Sequence, residues 1–321
     1  MSTALARHDY ANLVALSDLG VRAREYLEAS RAPSTRRGYH SDWRMFCRWS
    51  EARGIPASLP VSIDTLAVYL TAEADRLSSS TLARRLSALR FEHHRAGLPS
   101  PTDHPQIREL MAGIRRVRRD TKRQAKPIYL DDLAASIAGF APTHRACRNR
   151  AMLLVGWWGA FRRAELVRLD RSDVEDHPEG LILRLRHSKT DQEGAGREVP
   201  IHYHAPAICP VRALREWMAA LPQGGTSIFR RVDRWDTILA GRLSGESVSQ
   251  VVKDSVERIG LERTLYSAHS LRAGFVSECD RRGIATSAIR LVTGHASDAM
   301  LSVYTRPRSL FESSAGAHFD T

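Results

Sequence analysis

The sequence predicts a mainly α protein of the α+β class: a helical N-terminal domain, then a mostly helical second domain with one small antiparallel β-sheet. Three observations carry this. The 321 residues are about twice a common domain of roughly 100–150 residues, so two cores are expected. Apolar residues recur at helical spacing along most of the chain, whereas LILRLRHSKTDQEGAGREVPI alternates with the period of a strand. A basic run followed by Pro127 separates the two parts.

Residues 1–20 are expected to form a flexible tail and residues 21–119 a domain of helices. Ser34-Thr35 can cap a first helix that carries Tyr39, Trp43, Phe46 and Trp49 on one face, and Gly54-Ile55-Pro56 ends it. Ser62 caps a second, whose Leu66, Tyr69, Leu70 and Leu77 point to the same core. A third starts at Ser79-Ser80 and turns Leu82, Leu86 and Leu89 inward, with Arg84, Arg85 and Arg95 elsewhere; Gly97 and Pro99 stop it. A fourth runs from near Pro105 to Arg119 and leads into a basic linker over residues 120–130.

The second domain is expected over residues 131–308. Asp131-Asp132 opens a helix to about Gly139. AMLLVGWWG, from Ala151 to Gly159, is apolar around its whole circumference and therefore a fully buried helix. In the alternating segment Leu181, Leu183 and Leu185 face one way and Arg184 and Arg186 the other, a hairpin with Lys189 near its tip. Helices resume from Val211, around Ser247 to Ile259, and from His269 onward, before a short tail over residues 309–321.

Composition excludes a disordered or collagen-like chain, with 43% hydrophobic and 26% charged residues. The balance of 48 Lys+Arg against 36 Asp+Glu, a net +12, points to a polyanionic partner, most commonly nucleic acid. Residues 1–126 hold 22 basic and 13 acidic residues, and residues 127–321 hold 26 and 23, so the first part carries most of the excess. Between Arg115 and Lys126 lie seven positive charges against Asp120 alone, either a solvated linker or a tether along phosphates; both readings put a boundary there. Only Lys122, Lys126, Lys189 and Lys253 are lysines, so a lysine outside the linker invites a specific reason.

Cys47, Cys147, Cys209 and Cys279 show no C-x-x-C spacing, which suggests neither a disulfide framework nor a zinc site and fits a reducing cytosol. No apolar leader and no run of 18 apolar residues occurs, so neither export nor a membrane span is expected. Walker-type loops and G-x-S-x-G are absent.

Four segments of the C-terminal half belong together. GAFRRAEL holds Arg162 and Glu165; HSKT holds Lys189; SAHSLRAG places His269 and Arg272 at i, i+3, on one helix face; TGHASDAMLSVYT places His295 before a Ser297-capped helix that contains Tyr304. In that order they resemble the tyrosine recombinases, the phage integrase family. Its motif is an arginine in R-x-x-E-[LI], a hairpin lysine, H-x-x-R, a His or Trp, and a nucleophilic tyrosine nine residues later, as Tyr304 follows His295. STRRGYHSDWRMFCRWSEARG, STLARRLSAL, HHRAGLPSPTD and the KRQAK linker are similar to the DNA-clamping domain of the family's Cre branch. The likeness covers about Tyr26 to Phe311.

The resemblance implies a site-specific DNA strand transferase that works through a 3′-phosphotyrosine and a Holliday junction, without metal, ATP or other cofactor. The residue types suit that chemistry. Guanidiniums stay charged and bind two phosphate oxygens in a fork, which makes Arg162 and Arg272 candidates for stabilising the phosphorane-like transition state. A phenol of pKa about 10 ionises more readily among cations, so Tyr304 is the candidate nucleophile. Arginine cannot release a proton to the leaving 5′-oxygen and lysine can, which accounts for Lys189 in an arginine-dominated chain. His269 and His295 would bind the phosphate and manage the tyrosine proton, with the base left open between them. Glu165 would hold a neighbouring cation or histidine in place.

Taken singly, these are ordinary residues: salt-bridged arginines, a satisfied buried histidine, a loop lysine, a core aromatic. Order and spacing together favour the catalytic reading. His93, His94, His202 and His204 match nothing in the pattern and read as surface or packing residues.

By resemblance, the partner is double-stranded DNA with an inverted-repeat target, gripped by a C-shaped clamp. N-domain candidates for DNA contact are Arg36, Arg37, Ser41 and Arg44 on the first helix and Ser80, Thr81, Arg84 and Arg85 on the third. Arg115, Arg116, Arg118, Arg119, Lys122 and Arg123 would follow the phosphate backbone. In the second domain the helix with Ser247, Gln250 and Lys253 is the expected reader of bases. The tail, with Leu310, Phe311 and Phe319, is too short for its own core and is expected to dock on a neighbour in a homo-tetramer on two DNA sites. A cytoplasmic protein of bacterial, phage or plasmid origin, acting at the nucleoid, is implied. The competing functions are a catalytically retired, sequence-specific DNA-binding protein and a type IB topoisomerase.

Overall fold

A computed structural model of the chain describes residues 22, 26, 30–120, 124–186, 196–295 and 297–301, with Met300 described by its backbone alone. The chain separates into two compact units, Met1–Lys122 and Arg123–Thr321. The fold is mostly helical with small antiparallel sheets, the class the sequence predicts.

In the first unit α1 (Pro33–Glu51) begins with Pro33 behind Ala32. Proline at the first helical position has its φ pre-set and lacks only an N–H that no carbonyl awaits, so the helix starts ahead of the expected Ser34-Thr35 cap. Ser62 Oγ accepts from the Thr65 N–H at 3.1 Å and starts α2 (Ile63–Ala74), as its sequence indicates. For α3 (Ser79–Arg95) the cap is Ser78, one residue before the expected pair. Asp120 reaches across from the basic run to accept the Ser79 N–H, so that acidic residue does structural work at a helix start. α4 (Pro105–Arg118) ends on Arg119 at φ 44°.

These helices enclose Phe46, Trp49, Leu66, Tyr69, Leu70, Leu82, Leu89, Ile107 and Met111, each 7% exposed or less. Tyr69 lies edge-on to both Phe46 and Trp49 at 5.0 Å. One expectation fails here. Arg85 lies inside this unit, 8% exposed, and donates to Tyr69 Oη at 2.6 Å and Glu73 Oε2 at 3.0 Å. A guanidinium enclosed in the helical core between Tyr69 and a carboxylate cannot reach DNA without surrendering both of those hydrogen bonds, so Arg85 is a structural residue.

The second unit opens with α5 (Leu130–Ala138) and α6 (His144–Trp158), followed by α7 (Arg163–Arg168). Residues 151–157 are all buried, matching the all-round apolar sequence. A three-stranded antiparallel sheet follows: β1 (Val174–His177), β2 (Gly180–Leu185) and β3 (Arg197–His202), in that spatial order. β2 and β3 are the expected hairpin. β1 is an additional edge strand, and β4 (Arg230–Val232) with β5 (Ile238–Arg242) forms a second sheet where only one was expected. VEDH and RRV are too short and polar to show an alternating period. The remaining helices are α8 (Pro210–Ala220), α9 (Gly245–Glu257), α10 (His269–Arg281), α11 (Thr286–Thr293) and α12 (Asp298–Leu301). Among the described residues no helix is long and apolar enough to cross a membrane.

Close backbone approach fixes α10 against α6. The Ile128 carbonyl accepts from Trp157 Nε1 at 2.8 Å, and the Ile128 N–H donates to the Ser270 carbonyl at 3.1 Å. Both contacts need Gly274, because a Cβ there would lie 1.9 Å from the Ile128 oxygen. Gly274→Ala is therefore expected to destabilise the second unit by about 2 kcal/mol or more through overpacking. Gly113→Ala, in α4 with open space around it, should instead stabilise the first unit by roughly 0.5–1 kcal/mol. Calorimetric or denaturant unfolding of the two variants checks the contrast in sign.

Candidate active site

The buried α6 delivers the first functional residue. After Gly159 the chain takes a left-handed residue, Ala160 at φ 47°. A non-glycine residue in that region costs about 1 kcal/mol or more. The turn aims the Ala160 carbonyl inward and places Arg162 at the start of α7. Glu165 Oε2 accepts the Arg162 backbone N–H at 2.9 Å, half of a capping box. Its other oxygen accepts from Arg162 Nη1 at 2.7 Å. One carboxylate, 3% exposed, thus starts the helix and orients the guanidinium.

α10 supplies the second pair. Arg272 is 1% exposed, donates from Nη1 to the Ala160 carbonyl at 2.8 Å, and brings Nη2 to 2.9 Å from His295 Nε2. Guanidinium can only donate, so His295 Nε2 accepts and the ring proton sits on Nδ1, which faces Thr293 Oγ1 at 2.8 Å. Burial, then Arg272, Arg162, Arg197 and His269, push the His295 pKa down to about 3. His269, one turn before Arg272, is open to solvent on one side but ringed by protein; that desolvation and the charges of Arg272 and Arg162 lower its pKa as well. Both imidazoles are thereby held neutral near pH 7.

Sequence reasoning passed over Arg197, the first residue of β3. It pairs with Leu185 across the ladder and shares its face with Val199 and Ile201. Its side chain, 14% exposed, brings Nη2 to 3.4 Å from Glu165 Oε2, and Nη1 donates to the Val292 carbonyl. The signal was there: an arginine in phase with the apolar residues of a strand must find a carboxylate inside.

Arg162, His269, Arg272 and His295 are thus brought together, with Glu165 beneath them. Lys189 and Tyr304 lie outside the described residues, as do Lys122 and Arg123. Among the described residues, three guanidiniums against one carboxylate leave a positively charged site suited to a phosphate group. Among the described residues no three His, Cys, Asp or Glu side chains cluster so as to hold a metal ion.

The DNA-contact candidates fall differently. Arg37, Ser41, Arg44, Ser80, Arg84, Arg115, Arg116 and Arg119 are exposed, and Arg36, Thr81 and Arg118 half-buried. Arg84 pairs with Asp42 at 2.7 Å, and Arg118 with Asp120 at 3.1 Å. On α9, capped by Ser244, Gln250 is exposed and bonded to Asp254 at 2.7 Å, while Ser247 and Lys253 are half-buried. His93 is buried, accepting the Val61 N–H at 3.0 Å, and His204 stacks on Trp158 at 3.5 Å; both are packing residues.

Comparison with known proteins agrees with this geometry. Residues 130–309 match the model of the phage integrase family, and residues 24–94 that of the phage integrase N-terminal SAM-like domain. An integrase/recombinase XerD homolog of Selenomonas ruminantium is 33% identical over 302 residues, covering 92% of this chain and 88% of the relative. Recombinase Cre of Escherichia phage P1 is 22% identical, covering 82% and 80%. Among solved structures, a lambda integrase tetramer bound to a Holliday junction superposes with a TM-score of 0.57 at 18% identity, covering 93% of this chain and 77% of that one.

A depressed histidine pKa fixes a sign for acid stability. The folded state disfavours the protonated forms of His295 and His269, so their stability contribution is complete above the unfolded value of about 6.5 and is lost as pH falls toward the folded values. Nitrogen-15 NMR should find His295 neutral, protonated on Nδ1, from pH 8 to pH 5, and unfolding should become easier below about pH 6.5.

Proposed function

The chain belongs to the phage integrase family, and from that premise we propose that it recombines DNA at a specific site by the following division of labour. The Tyr304 oxygen attacks the scissile phosphorus, the bond to the 5′-oxygen breaks, and a 3′-phosphotyrosine forms. Arg162 and Arg272 hold the non-bridging oxygens as their charge grows. His269 takes the phenolic proton, since a neutral imidazole can accept one, whereas His295 already accepts from Arg272 and serves to orient that guanidinium. Lys189 protonates the departing 5′-oxygen. The diester energy is kept in the tyrosyl bond, and a second 5′-hydroxyl reverses the steps on a new strand through a Holliday junction.

The observation that supports this reading most is the convergence of two arginines and two neutral histidines at one positively charged site, as transfer at a phosphate without bound nucleotide demands. Residues 21–119 would clamp DNA, 120–130 would link, and 131–308 would carry the chemistry. Four copies would act on two inverted-repeat sites in the cytoplasm of a bacterium, at its nucleoid. Residues 309–321 would dock in trans. A groove of about 740 Å³, in which Ile137, Phe140, Cys147 and Ala220 alternate with Arg150, Glu216 and Asp236, would be the receptor for Leu310, Phe311 and Phe319.

Incubated with nicked target DNA, the wild-type protein should form a denaturation-resistant adduct that Tyr304→Phe loses completely. A retired DNA-binding protein would bind and form none, and a topoisomerase would relax plasmids that lack the target. Deleting residues 309–321 should abolish recombination and cooperative binding while half-site binding persists; unchanged synapsis would remove the trans-docking assignment.

A further inference from the structure

We propose that Arg197 is a positioning residue of the active site, a single guanidinium that fixes both the turn presenting His295 and the carboxylate orienting Arg162. The inference rests on the recombinase reading and deepens it.

Arg197 starts β3, on the sheet, yet its guanidinium spans two other elements. Nη1 donates to the carbonyl of Val292, in the last turn of α11, and Nη2 approaches Glu165 of α7. α11 closes on Gly294 at φ 64°, a left-handed cap, and His295 follows at once. A Cβ on Gly294 would come within 3.0 Å of Arg197 Nη1 and 3.2 Å of its Cζ. The bare glycine therefore serves twice, turning the chain and leaving room for the guanidinium to lie against the turn. The same turn is held from its other side, where Arg290 donates from Nε to the His295 carbonyl at 3.2 Å and pairs with Asp298 at 3.3 Å.

This geometry links His295, and through it Arg272, to the Glu165–Arg162 pair. Without Arg197, Glu165 keeps Arg162 as its cationic partner and the Val292 carbonyl loses this donor, so the turn that presents His295 and the carboxylate that orients Arg162 lose a common support. A lysine does not substitute: an ammonium is a point charge on a flexible stem and cannot lie as a planar fork between a carbonyl and a carboxylate. The charged and titratable groups that act on the His295 ring are Arg272 and His269 from α10, Arg162 at the start of α7 and Arg197 from β3, while Arg290 from α11 holds the His295 carbonyl and pairs with Asp298 of α12. Removing Arg197 takes away one of the cations that hold the imidazole neutral.

The test uses the full-length chain with Arg197→Met and Arg197→Lys. Half-site affinity should fall much less than the cleavage rate, because the residue faces the interior and one site phosphate is a small part of the DNA contact. Single-turnover cleavage of nicked target DNA should fall roughly 10–100-fold in both variants, the scale expected when catalytic groups shift by about 1 Å. In Arg197→Met the His295 titration, followed by nitrogen-15 NMR, should move upward from about 3. A folded variant that cleaves within twofold of wild type, or an unmoved His295 titration in Arg197→Met, overturns the proposal. If Arg197→Met does not fold, Arg197→Lys decides on cleavage rate. Failure of the wild-type protein to form a Tyr304 adduct would defeat the recombinase reading instead, and the His295 titration would still decide the role of Arg197.

Discussion

Arg272 carries a full charge with 1% of its surface exposed, and a cation enclosed to that degree survives only if hydrogen bonds replace its water. Its partners are the Ala160 carbonyl and His295 Nε2. Each demands something of the fold. The carbonyl points inward because Ala160 accepts a left-handed φ. The imidazole offers Nε2 because Thr293 takes up Nδ1. Arg272 itself reaches them because Gly274, two residues on, lets α10 settle against Ile128 and Trp157. The strained turn, the histidine tautomer and the helix packing all answer to one buried guanidinium.

Electrostatics then follow from crowding. Arg162 and Arg197 share the buried carboxylate of Glu165, and the charge of Arg272 acts on the same site. Burial and the charge of Arg162 even lower the pKa of Arg197, against the pull of Glu165. Such a cluster is unfavourable by itself, and the same unfavourable field is what a phosphate relieves and a developing transition-state charge relieves further. The neighbouring histidines cannot add to the positive charge and remain neutral, which keeps them able to accept protons. Instability in the empty site and affinity for the reacting group thus have a common origin.

Much of this was legible in the sequence, and the exceptions have physical reasons. Long apolar stripes such as that of α1, and the circumferential run in α6, declare themselves because burial of many side chains enforces a period. Arg162, His269, Arg272 and His295 were readable from type and spacing. α1 starts early because Pro33 is pre-set for the first helical position and needs no hydroxyl cap, whereas α3 begins at Ser79 with Ser78 as its cap. β1 and β4 were invisible, since a strand of three or four polar residues has no period to show. Arg85 reads as a DNA contact because an arginine on a helix is ordinarily exposed; its burial depends on Glu73 and Tyr69, on a different helix. Arg197 stayed hidden because its meaning lies in strand phase and in partners on α7 and α11, which only folding brings together.

The central claim is that these groups serve one covalent event at one phosphate, and the direct measurement is the identity of the bond. The adduct with nicked target DNA should be formed in the presence of a metal chelator, digested with protease and nuclease, and analysed by mass spectrometry. The expected result is a nucleotide joined through its 3′-phosphate to Tyr304. Attachment to any other residue, linkage through a 5′-phosphate, or an adduct that appears only when divalent metal is restored would contradict the account.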